Sequence, residues 1–96
     1  MKRPFIERRL RELEERRSRL ILDLAVADEQ LAYLEEEADD ARVRHLVAET
    51  PISEREGHDL QRQVSAMTRH RDDLLAQIFR VEIAQSELSS QTALGE

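Results

Sequence analysis

Apolar residues recur through the first half of the chain at Ile6, Leu10, Leu13, Leu20, Leu24, Ala27, Leu31, Leu34, Ala38, Ala41 and Ala48. Arg17 and His45 fill the two gaps, so the steps alternate between four and three without a break. A second series runs Leu60, Val64, Met67, Leu74, Ile78, Val81 and Leu88, with Arg71 and Gln85 in its gaps. A repeat averaging 3.5 residues keeps one stripe of a helix facing a partner helix, so both series read as coiled-coil a/d seams.

Between the seams lies Ala48-Glu49-Thr50-Pro51-Ile52-Ser53-Glu54-Arg55-Glu56-Gly57. Pro51 would clash with the preceding turn inside a helix, so helix 1 ends by about Glu49. Two start signals for helix 2 overlap. Thr50 is a possible N-cap with Pro51 at the first helical position. Ser53 and Glu56 make a capping box, and this is preferred because it satisfies two backbone donors. The expected layout is helix 1 over about 5–48, a turn over about 49–53 and helix 2 over about 54–92. Helix 1 would then be roughly 65 Å long. So short a link forces the helices antiparallel. The fold expected is all-α: a two-helix antiparallel coiled-coil hairpin in a single domain.

Folding the chain about residues 50 and 51 sets Leu20 near Val81, Leu24 near Ile78, Leu34 near Met67 and Ala41 near Leu60. The seams are in register. Arg17 falls beside Gln85, and Arg71 beside Leu31. Polar residues in a seam cost stability and help fix register.

The outer faces are not uniformly polar. Ile21, Leu22, Val26 and Tyr33 lie off the first seam, and Leu75, Phe79 and Ile83 lie off the second. The fold-back places Leu22 level with Phe79 and Val26 level with Leu75. Scattered exposed apolar residues are normal on protein surfaces. Matching heights on two helices point instead to an interface. A homodimer of hairpins, forming a four-helix bundle about the mid-section, is the simplest assembly with that property.

Composition agrees with long helices. Aromatics are 3% of the 96 residues and charged residues 38%. Glycine and proline occur twice each, and cysteine is absent, which removes disulfides and thiolate metal sites. The start Met1-Lys2-Arg3-Pro4-Phe5 has no apolar h-region, and the longest apolar run, Leu24-Ala25-Val26-Ala27, is far too short to span a bilayer. The chain reads as soluble and cytoplasmic, with no membrane contact.

Charge is uneven. Residues 1–19 hold eight basic and four acidic side chains, net +4, and residues 20–60 hold three basic and twelve acidic, net −9. Solvated helix pairs such as Glu7-Arg11 and Glu12-Arg16 account for the basic segment more simply than nucleic acid does. The negative total and the lack of interleaved aromatics also argue against nucleic acid. The run Glu35-Glu36-Glu37-Ala38-Asp39-Asp40 reads first as a solvated face and second as a site for a basic partner. His45 and His58 approach the turn, but no ligand spacing supports zinc. No catalytic, cofactor or metal residues are expected, since a two-helix hairpin encloses no pocket.

Three families of helical hairpin bear comparison. Secreted Trp-x-Gly hairpins carry that motif at the turn, where this chain has no Trp. The tip Glu49, Glu54, Glu56 and Asp59 is similar to the acidic tip that Gre-type transcription factors insert into RNA polymerase. The two-helix layout resembles cyclic-dinucleotide-armed anti-sigma hairpins. Of their Glu-x3-Ser-x2-Arg-x3-Gln-x3-Asp signature, the stretch Gln61-x3-Ser65-x2-Thr68-x3-Asp72-x3-Ala76 keeps the Ser. The leading functional expectation is a non-enzymatic adaptor or scaffold. It would bind itself through Ile21, Leu22, Val26, Tyr33, Leu75, Phe79 and Ile83. It would bind another protein through Glu49, Thr50, Pro51, Ser53, Glu54 and Glu56. The alternative is a small transcription regulator that binds RNA polymerase or a sigma factor.

Overall fold

The computed structural model describes the backbone of residues 3–95 and the side chains of residues 3–93. Two helices account for nearly all of it: α1, Arg3–Ala48, and α2, Pro51–Gly95. The all-α hairpin expected from the seams is the observed fold. The chain divides into two compact units, one of residues 1–24 with 73–96 and one of residues 25–72.

In the first unit the N-terminal part of α1 packs antiparallel on the C-terminal part of α2. Leu13, Leu20, Leu74, Ile78 and Val81 are buried, and every other seam residue here, including Arg17 and Gln85, is half-buried. The two polar seam residues each bond a carboxylate of the facing helix. Arg17 Nε donates to Glu82 Oε2 at 2.9 Å, and Gln85 Nε2 donates to Glu14 Oε1 at 3.0 Å. Each turns its polar end sideways to a carboxylate at the seam's edge, which leaves the carbons of its stem in the interface.

These bonds also orient the unit. Residues one place after a d position (Glu14, Ile21, Leu75, Glu82) form one flank of the helix pair, and those one place before an a position (Arg16, Asp23, Gln77) form the other. The Gln85–Glu14 and Arg17–Glu82 bonds lie on the first flank. Arg16 Nη2 donates to Gln77 Oε1 at 3.2 Å on the second.

The second unit contains the turn. Ala27, Leu31 and Ala41 are buried, and Leu34, Ala38, His45, Leu60, Val64, Met67 and Arg71 are half-buried. Ala48, the last expected seam residue, is exposed, so the seam closes at His45.

The link is tighter than the sequence suggested, because helix 2 starts at Pro51 and not near Glu54. Of the two overlapping caps, Thr50 prevails. Ser53 N donates to Thr50 Oγ1 at 3.1 Å, and Thr50 N donates to Ser53 Oγ at 3.1 Å. This is a reciprocal capping box built on Thr50 and Ser53, with serine in the place glutamate usually takes. It satisfies two backbone donors, as a Ser53–Glu56 box would, and it admits Pro51 at the first helical position, where no N–H is needed. At the other side of the link, Glu49 adopts φ 49° and its N–H donates to His45 O at 2.7 Å. That closes α1 with a left-handed cap, a place where glycine is usual.

Candidate interaction surfaces

All seven residues expected at a self-association surface are exposed. The units divide them. Ile21, Leu22, Leu75, Phe79 and Ile83 belong to the first unit; Val26 and Tyr33 belong to the second.

Within the first unit, height and direction separate. Ile21 and Leu75 share the flank that carries Arg17 and Glu82, and Phe79, one place after the a position Ile78, stands beside that flank toward the back of α2. Leu22 and Ile83 lie on the backs of their own helices. Leu22 lines a shallow open groove on the opposite flank with Arg16, Arg19, Asp23 and Gln77. The expected pairing of Leu22 with Phe79 is therefore a match of level only. The exposed apolar residues on the Arg17–Glu82 side of the pair are Ile21, Leu75 and Phe79, with exposures of 39%, 46% and 63%. In the second unit, Tyr33 lies over a shallow groove lined by Glu29, Gln30, Leu34 and Met67.

Most residues expected to contact a partner at the turn are occupied in building it. Thr50 and Ser53 cap α2. Ser53 Oγ also donates to Thr50 O at 2.9 Å and lies 2.8 Å from His45 Nδ1. Glu56 pairs with Arg44, and Glu54 Oε1 lies 3.8 Å from His58 Nε2. His45 thus serves the turn. Among the described residues no group of three or more metal-ligating side chains forms.

The surface around the turn is apolar as well as acidic. Val43, Leu46, Val47 and Ile52 are exposed, Val47 to 84% and Ile52 to 80%. Ile52 had no place among the residues expected to bind. The only signal for it was a large aliphatic side chain beside Pro51 and outside the seam. Ile52 lines an open groove with Glu37, Arg44, Arg55, Glu56 and Asp59. The local field is negative: the hydrogen bond that Arg44 donates to Glu56, with the charges of Glu56, Asp40 and Glu37, holds the Arg44 pKa above its ordinary value against the opposing effect of desolvation.

The units differ in charge. Residues 25–72 carry six basic and twelve acidic side chains, net −6, while residues 1–24 with 73–96 carry nine of each. In the basic N-terminal segment the ion pairs among the described residues include Arg3–Glu7, Arg9–Glu12 and Arg17–Glu14, and Arg8 lies over the Phe5 ring at 5.8 Å. Glu7 and Glu12 are thus met by arginines that precede them, not by the expected Arg11 and Arg16. Both pairs are exposed surface pairs of small energetic value. Among the described residues no helix is long and apolar enough to cross a membrane. The chain matches no protein-family model, no curated protein and no solved structure.

Proposed function

We propose that the chain is a non-enzymatic coiled-coil interaction module that binds a second copy of itself through the unit of residues 1–24 and 73–96. One observation carries this. Ile21, Leu75 and Phe79 are exposed apolar residues on one side of the helix pair, the side that carries the Arg17–Glu82 pair. An apolar centre with a charged border is the usual anatomy of a protein interface. The occupant is a second copy because this unit has no net charge to repel its like, whereas the other unit carries −6. Two flanks meeting face to face would make a four-helix arrangement around a shared apolar centre.

Sedimentation equilibrium tests this on wild type and on Leu75→Glu combined with Phe79→Glu. Both side chains are exposed, so the variant should keep its helicity. The expected result is a wild-type dimer and a monomeric variant. A wild type that stays monomeric at tens of micromolar overturns the proposal.

A further inference from the structure

We infer that the turn end of the 25–72 unit docks through Val47 and Ile52 into an apolar groove rimmed by basic side chains on a different protein. Val47 and Ile52 are the two most exposed large apolar residues described, at 84% and 80%. Carried past the ends of the two seams, the repeat places both one residue before a d position, on the side of the helix pair where Arg44 meets Glu56. Val47 stands in the last turn of α1, and Ile52 in the first turn of α2. The two-residue link and the Thr50–Ser53 cap hold those helix ends in place. The pair is therefore displayed on fixed backbone, and docking it costs little ordering entropy.

Charge selects the occupant. Residues 35–59 hold nine acidic and three basic side chains. Two of those three, Arg42 and Arg44, are already paired with Asp39 and Glu56. A second copy would bring the same excess of negative charge, and an anionic bilayer or a nucleic acid would also be repelled. A basic rim around an apolar groove complements both features. This site is separate from the Ile21, Leu75 and Phe79 surface and does not depend on self-association.

The test uses the full chain and a fluorescent amphipathic helical peptide of leucine and lysine, with a leucine–glutamate peptide as its opposite. Binding is followed by anisotropy at low and moderate salt. The lysine peptide is expected to bind and the glutamate peptide not to. Val47→Ser with Ile52→Ser should weaken binding about tenfold or more, since two aliphatic side chains leave the contact. Glu49→Gln with Glu54→Gln should weaken it less and flatten its salt dependence. Leu75→Glu with Phe79→Glu should leave it unchanged, which separates this site from the self-association surface. Circular dichroism checks that each variant is helical. Four results overturn the inference. They are no binding of the lysine peptide, equal binding of both peptides, binding indifferent to Val47 and Ile52, and loss of self-association or of flotation with phosphatidylcholine vesicles in the Val47/Ile52 variant. The last would make a second copy or a lipid surface the occupant.

Discussion

The backbone at Glu49 occupies the left-handed region, which crowds the Cβ of an L-residue against its own carbonyl. Glycine has no Cβ and avoids that crowding. Glu49→Gly is therefore expected to raise stability by about 0.5–1 kcal/mol, after allowing for glycine's greater freedom in the unfolded chain. A thermal melt should read this as a rise of a few degrees. Gly57 is the reverse case. It sits inside α2, its φ is ordinary, and a Cβ built on it meets nothing within 4 Å. Gly57→Ala should stabilise by about 0.5–1 kcal/mol, because alanine gives up less backbone freedom on entering a helix. A fall in melting temperature would mean that the open space beside Gly57 is needed. Neither effect was legible in the sequence. Glutamate carries no signal for a left-handed backbone, and Gly57 could as well have marked the end of a helix.

At the level of the helices, the seam was the legible part. Only a run of alternating four and three steps keeps a stripe in contact, and the half-buried and buried residues of α1 follow that run almost residue for residue. Where each helix began was harder to read, because Thr50 and Ser53 were both acceptable caps and the proline fitted either. The Thr50 cap gives a direct check. Thr50→Ala removes one half of the reciprocal box and should cost about 1 kcal/mol, whereas Glu56→Ala should not disturb the cap. Directions around the helix are harder to see than heights. Residue number gives height, but flank depends on position within the repeat, which is why Leu22 and Phe79 share a level and not a face. The half-buried Arg17 offers a further test. Arg17→Leu would complete the apolar seam at the cost of the Glu82 bond. It should raise the melting temperature while loosening the alignment of the helices, seen as doubled amide resonances in NMR spectra.

At the scale of the whole chain, the two units have different cores. Among the described residues the first buries five large aliphatic side chains, whereas the second buries Leu31 and two alanines. Less apolar surface leaves water in the second unit, so local opening there should be easier. Amide hydrogen exchange is expected to run faster over 36–48 than over 13–22 and 74–82. Equal protection would show that helix propensity, not core burial, sets the order. Function was the least legible level. Charge and exposed apolar residues mark surfaces, but they do not say what meets them.

Pro51 has a consequence for how two such chains can be joined. Hairpins with short links are prone to exchange arms: the link straightens, the two helices fuse into one, and two chains interlock. Fusion here would require residue 51 to continue α1, donating an N–H that proline lacks and pressing its ring on the carbonyl of Val47. The proline therefore works against arm exchange, and each chain is steered to close on itself before it meets another.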